Sequence, residues 1–274
     1  MLNVQSFKKY LLGVLESTKK LGNLVNSKAG EKVLIVGDGV SAAYAKDKFK
    51  EYDYIIVCNN AHQNIKLQGC NVIFHLIMEP DLLIPWRHVE LRNFFRESLN
   101  FFPKAQIVLN PFGRIFSFLT SGYKNPVYLS PFKKLTLNDS KVYSDFTAAF
   151  QASIGMAILC GFKEIHCIGF DAWLLSPKNN LRWYSNNEDP DSMDVEVAVK
   201  AEPFLVDACG VAKIKVFTYR HYSSRFQFIE SIPLDISGGL YIPARDKKDL
   251  MRKDFLSRMI AFEKRHYPNG VLRS

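Results

Sequence analysis

Two glycines, an aspartate and a serine closing the apolar run Val33-Leu34-Ile35-Val36-Gly37-Asp38-Gly39-Val40-Ser41 are the residues of this chain best typed and spaced for binding chemistry. Glycines at the carboxyl end of a buried strand let the backbone approach a phosphate or ribose with no Cβ in the way. Ser41 is placed to cap the next helix, whose N-terminus attracts anions. The spacing is GxGxS rather than the dinucleotide GxGxxG, and no Lys follows the glycines as a P-loop requires. The loop therefore points to a nucleotide held outside the usual NAD and ATP patterns, or to an ordinary tight strand-to-helix turn.

Other residues at strand ends carry comparable chemistry. Asn59 and Asn60 follow Tyr54-Ile55-Ile56-Val57-Cys58; paired carboxamides can read a base or ribose by donor and acceptor contacts, or simply close a turn. Gly169, Phe170 and Asp171 follow Glu164 to Ile168, and Asp171 is suited either to binding or to capping a helix. His75, within a strand, reads as a satisfied core histidine rather than a catalyst. The irregular stretch from Ala172 to about Met193 holds Trp173, Trp183, Tyr184, Glu188, Asp189 and Asp191, with Asp194 just beyond. A loop of that length in a compact domain is usually a lid or a binding loop.

The elements that must position these residues alternate between apolar β-branched runs and helical patterns, which predicts an α/β fold around a mostly parallel sheet flanked by helices. Strands are expected at Val33–Gly37, Tyr54–Cys58, Val72–Ile77, Gln106–Leu109, Val127–Leu129, Glu164–Ile168 and Lys213–Thr218. Helices are expected near Ser41–Phe49, Val89–Asn100, Thr147–Cys160, Val195–Cys209 and Ser224–Glu230. At 274 residues and 47% hydrophobic the chain can bury a substantial core. The expected layout is an N-terminal amphipathic helix over 1–30, a catalytic domain over 31–245 with its lid at about 172–194, and a basic helix over 246–274.

No apolar run reaches the roughly 18 to 20 residues needed to span a bilayer, and lysines interrupt the first twenty residues before a signal-peptide core develops. A cytoplasmic protein is expected. The five cysteines, Cys58, Cys70, Cys160, Cys167 and Cys209, include no CxxC pair and read as reduced thiols, with neither a zinc site nor a disulfide framework. The net charge of +9 is concentrated most clearly between Lys247 and Arg265, interleaved with Met251, Phe255, Met259 and Phe262 at helical spacing. Such a helix either docks on its own domain or lies on an anionic membrane surface. The aromatic and basic residues form no pattern typical of nucleic-acid binding. Oligomeric state is open.

Taken in order, VLIVGDGVS, YIIVCNN, GFKEIHCIGFDAW and KVFTYRHYSSRFQFIE resemble the bacterial lipooligosaccharide sialyltransferases and the related Kdo transferases of surface polysaccharides, over roughly residues 31 to 233. The resemblance implies a Rossmann-like nucleotide-binding domain with a smaller lid. It implies inverting, metal-independent transfer of a sialic acid or Kdo-type sugar from a CMP-activated donor to a glycan or glycolipid acceptor, with no cofactor. By the same resemblance Gly37, Asp38, Gly39, Ser41 and Asn59, with Asn60 beside it, hold the CMP phosphate and ribose. Gly169, Phe170 and Asp171 shape the cytidine pocket, and Tyr184 donates its hydroxyl to the departing phosphate.

Two departures from that family stand out. Asp38 replaces its usual asparagine, which suits a ribose hydroxyl better than a phosphate, and the family's histidine base is missing. The matching stretch offers Asp194 as base, with Asp191 in reserve and His221 as a further candidate. Enzyme attachment to the inner membrane through the basic C-terminal helix would then bring it to a lipid-linked acceptor. A more distant likeness, to the 6-hydroxymethylpterin diphosphokinases and motility accessory factors, would instead make Asp171, Asp189, Asp191 and Asp194 ligands of Mg²⁺ for ATP. The remaining alternative is a noncatalytic nucleotide-binding protein.

Overall fold

In the computed structural model, the described residues are 16, 19–45, 48–78, 98, 100–109, 127–128, 135–137, 140–142, 149–176 and 201–235. The strands are β1 Lys32–Val36, β2 Ile55–Cys58, β3 Val72–Ile77, β4 Gln106–Leu109, β5 Val127–Tyr128, β6 Leu135–Leu137, β7 Ser140–Val142, β8 Glu164–Ile168, β9 Leu175–Ser176, β10 Lys213–Thr218, β11 Ser223–Ser224 and β12 Glu230–Pro233. The helices are α1 Ala149–Leu159, α2 Asp171–Leu174 and α3 Glu202–Val211.

Eight strands form one sheet in the order β12-β10-β8-β1-β2-β3-β4-β5, and every pairing in it is parallel. This is the α/β architecture around a parallel sheet that the alternation of elements predicts, Rossmann-like as the resemblance implies. The central strands explain why: Val33 to Val36 and Ile55 to Cys58 are buried at every position, as a parallel sheet covered on both faces requires. Helix α1 packs over β1, β2 and β3, and α3 packs over β10 and against α1.

All seven expected strands are present in the sheet, and its eighth, β12, begins where the expected helix Ser224–Glu230 would end. Ser224–Glu230 is a turn running into β12 rather than a helix. The Ser224 hydroxyl donates to the Phe226 carbonyl at 2.8 Å and accepts from the Phe226 amide at 3.3 Å, the local side-chain competition that favours turns over helices. The helix expected over Ser41–Phe49 is instead two short 3-10 turns, Val40–Ala45 and Lys48–Glu51. Of the helix expected from Val195, the described part begins only at Glu202, with Pro203 in its first turn, where its missing N–H costs nothing.

Near the N-terminus, residues 19–24 are helical, and the chain after them is stitched to the end of α1. Asn26, Lys28 and Gly30 amides donate to the carbonyls of Leu159, Cys160 and Gly161 at 2.9, 2.7 and 3.1 Å. Of the amphipathic helix expected over 1–30, residues 1–15 lie outside the described residues. The basic segment 246–274 lies outside the described residues. Among the described residues no helix is long and apolar enough to cross a membrane.

Candidate functional site

Strand order locates the crevice. From β1 the chain order runs outward through β2, β3, β4 and β5 on one side and through β8, β10 and β12 on the other. The loops leaving β1 and β8 therefore diverge, and in open α/β sheets ligands bind at that switch point, beyond the carboxyl ends of the strands. Gly37, Asp38 and Gly39 follow β1 there, and Gly169, Phe170 and Asp171 follow β8. The structure brings these two sequence-predicted groups into direct contact.

The contact is closer than a phosphate cradle needs. The amides of Gly37 and Gly39 donate to the carbonyls of Ile168 and Gly169 at 2.8 and 2.7 Å. The Gly169 amide donates to Ser41 Oγ at 2.7 Å, and the Ser41 amide donates to Asp171 Oδ2 at 2.8 Å. A Cβ at Gly37 would stand 2.3 Å from the Gly169 oxygen, so the two backbones pass with no room for a side chain. Three amides expected to hold a phosphate are thus engaged within the protein.

Capping also differs from expectation. Ser41 lies inside the 3-10 turn and is fully buried, and the anion at the start of that turn is the chain's own Asp171 carboxylate, itself buried. Asp171 takes the capping role, for a turn 130 residues away in sequence. A Cβ at Gly39 would meet Asp171 Oδ2 at 2.6 Å and the Gly169 oxygen at 2.9 Å. Gly39→Ala and Asp171→Ala are each expected to destabilise by roughly 2 kcal/mol, the first by overpacking and the second by stranding the Ser41 amide. The double variant should lose about 1 kcal/mol less than their sum, because removing the carboxylate relieves the added methyl. Strict additivity in urea unfolding would place the carboxylate elsewhere.

Asn59 is the first residue after β2 and adopts a left-handed backbone, φ 44°. Its Oδ1 accepts from the Met78 amide at 3.1 Å, tying the ends of β2 and β3 together. Its carbonyl accepts from His62 Nδ1 at 2.9 Å and from His75 Nε2 at 2.8 Å. Since that nitrogen of His75 donates, its neutral ring accepts the Ser98 hydroxyl at Nδ1. Burial holds His75 down at about 4, so it is neutral at physiological pH, the satisfied core histidine its sequence context suggests. Asn60 follows in the same 3-10 turn.

Asp38, between the two site glycines, is half-buried. Its charge reaches Cys58, whose thiol is pushed up to about 12, mostly by burial. The other cysteines are free as well, with Cys160 and Cys167 buried and Cys70 and Cys209 half-buried. Of the stretch expected to form a lid, residues 172–176 are described: Trp173 packs on Phe150 at 4.9 Å, and β9 pairs antiparallel with β11. Tyr184, Asp191 and Asp194 lie outside the described residues, as do Glu188 and Asp189. Among the described residues no group of three or more His, Cys, Asp or Glu side chains is placed to hold a metal.

Sequence reasoning missed three features. Arg225 folds back so that its guanidinium donates to the carbonyls of Ala172 and Leu175 at 3.3 and 3.0 Å, closing the end of α2. His166, in mid-strand, bonds the Tyr52 hydroxyl through Nδ1 and the Glu164 carboxylate through Nε2, with burial lowering its pKa.

The third is a row of rings. Tyr44 stacks on Tyr219 at 4.9 Å, Tyr219 meets Tyr222 at 4.8 Å, and Tyr222 stacks on His221 at 4.6 Å. The clustering of Tyr219, His221 and Tyr222 in TYRHY is the only signal the sequence gives for it. His221, the one catalytic candidate among the described residues, is exposed at the end of this row. No protein-family model matches the chain, and no curated protein matches it.

Proposed function

We propose that this protein is an inverting, metal-independent glycosyltransferase that moves a sialic acid or Kdo-type sugar from a CMP-activated donor to a glycan or glycolipid acceptor. The observation that supports it best is the meeting of Gly37-Asp38-Gly39 with Gly169-Phe170-Asp171 at the switch point of a parallel sheet. That is where nucleotides bind in such sheets. With the amides of Gly37, Gly39 and Ser41 engaged internally, the loop serves the ribose rather than the phosphate in this reading, and Asp38 is its acceptor for a ribose hydroxyl.

In the proposed reaction the bond from C2 of the sugar to the CMP phosphate oxygen breaks, and CMP leaves with that electron pair. The acceptor oxygen bonds to C2 from the opposite face and gives its proton to a base. Asp194 is assigned as that base, with Asp191 in reserve and His221 as a further candidate, and Tyr184 is assigned to the leaving phosphate. Peripheral attachment to the inner membrane through Lys247 to Arg265 belongs to the same proposal.

CMP in excess is expected to raise the thermal midpoint by several degrees, equally with and without chelator, since a ligand at a hundredfold its Kd contributes about 2.7 kcal/mol. No shift with CMP, together with a Mg²⁺-dependent shift with ATP, would replace this reading by the diphosphokinase one.

A further inference from the structure

The ring row spans more of the site than its sequence suggests. Tyr44 stands on the turn after the glycine loop of β1, whereas Tyr219, His221 and Tyr222 follow β10. In the sheet β8 lies between β1 and β10, so the contact of Tyr44 with Tyr219 joins the segments that leave the carboxyl ends of the two strands on either side of β8. The two inner rings are buried, Tyr222 is half-buried and His221 is exposed. The row is thus anchored in the core at one end and open at the other.

The turn carrying its outer half is held from several sides. The Tyr222 amide donates to the Tyr219 carbonyl at 3.0 Å, and Ser223 and Ser224 continue as β11 against β9, directly after α2. Arg220 sits in this turn with φ 53°, a backbone conformation that a long side chain rarely adopts and that persists only where surrounding structure enforces it. Its guanidinium lies 6.0 Å from the Tyr44 ring. The consequence of the strained turn is that Tyr219, Tyr222 and His221 are presented together in one pile.

We infer that the outer face of His221 is a stacking platform for the base of a nucleotide, adding one more ring to the pile that begins at Tyr44. A pile whose inner members are buried presents its terminal ring with little freedom left to lose, and stacking on such a ring tolerates any base because each has a π face. This rests on the nucleotide reading of the switch point and moves the base toward the β10 side, leaving the ribose over Asp38. His221 then contributes its ring face in place of a base, a role any planar aromatic can fill, and the acceptor's proton goes to Asp194 or Asp191.

Titration of the full chain with CMP, UMP, AMP, GMP and ribose 5-phosphate, followed by calorimetry, tests this. His221→Ala is expected to weaken nucleotide binding by about tenfold or more, as loss of one stacking partner does, and His221→Phe to restore it. Ribose 5-phosphate, which has no base, should bind the parent and both variants alike. Equal nucleotide affinity for the parent and His221→Ala would overturn the platform while leaving the CMP reading intact. If AMP or GMP bound in place of CMP and His221→Ala weakened that binding, the platform would stand and the CMP donor would fall. Binding of none of the nucleotides would overturn both, and failure of His221→Phe to restore affinity would overturn stacking in favour of a role for the imidazole nitrogens.

Discussion

Gly169→Ala is expected to cost roughly 2 to 5 kcal/mol, the sum of a left-handed backbone imposed on a residue with a Cβ and of overpacking against a fixed neighbour. Gly169 has φ +79°, and a Cβ there would stand 2.3 Å from the Gly37 oxygen and 3.1 Å from Ala42 Cβ. None of these neighbours is the flexible end of a side chain, so relief requires β1 and β8 to part. A drop of about 5 to 15 °C in the thermal midpoint follows for a chain of this size. Gly210→Ala is the control: nothing lies within 4 Å of a Cβ at that position in α3, and helix propensity favours the change by up to about 1 kcal/mol. Equal midpoints for the two variants would mean that the backbones of Gly37 and Gly169 do not touch in solution.

Acidification should destabilise the fold through His75. Its ring is fully buried and neutral, and burial sets its pKa at about 4 against an ordinary value of 6.5. The folded state therefore binds the proton less readily than the unfolded chain. The stability tied to the neutral ring is complete above pH 6.5 and is lost as the pH falls from there to about 4. The loss amounts to roughly 3 kcal/mol, at about 1.4 kcal/mol for each tenfold change in proton affinity.

His75→Gln provides the comparison, since its amide can donate to Asn59 and accept from Ser98 without titrating. It should begin less stable at pH 8 and fall less steeply toward pH 4.5 in urea unfolding. Parallel pH curves for the two proteins would remove His75 as the source.

Much of the fold was legible because its causes are local. Ile55-Ile56-Val57 and Val33 to Val36 declare a buried parallel sheet in their own composition. The glycine loop and GFD announce themselves as strand ends, and both prove to lie at the switch point. What the sequence did not disclose depends on partners distant in the chain. That Asp171 would cap the turn holding Ser41, and so displace both the serine cap and a full-length helix at 41–49, follows from β1 and β8 becoming neighbours. Phe226 and Ile229 look helical by spacing, yet the Ser224 hydroxyl captures the Phe226 backbone and turns the chain into β12. Tyr44 carries no mark of its stacking on Tyr219, since they are brought together only by the sheet.

The pairing of β1 with β8 has a consequence for how the protein is made. Lys32 aligns with Glu164 and Val36 with Ile168, so the neighbour of the first strand is synthesised more than a hundred residues after it. Until then β1 presents an open edge that is apolar from Val33 to Val36, the kind of strand on which another chain can pair. Contacts of such sequence separation also form slowly, because a long loop must close before they are gained. A nascent chain stopped short of β8 would hold the glycine loop with nothing to clamp it, and would be more prone to aggregate than the finished protein. The crevice is thus among the last parts of this molecule to come into being.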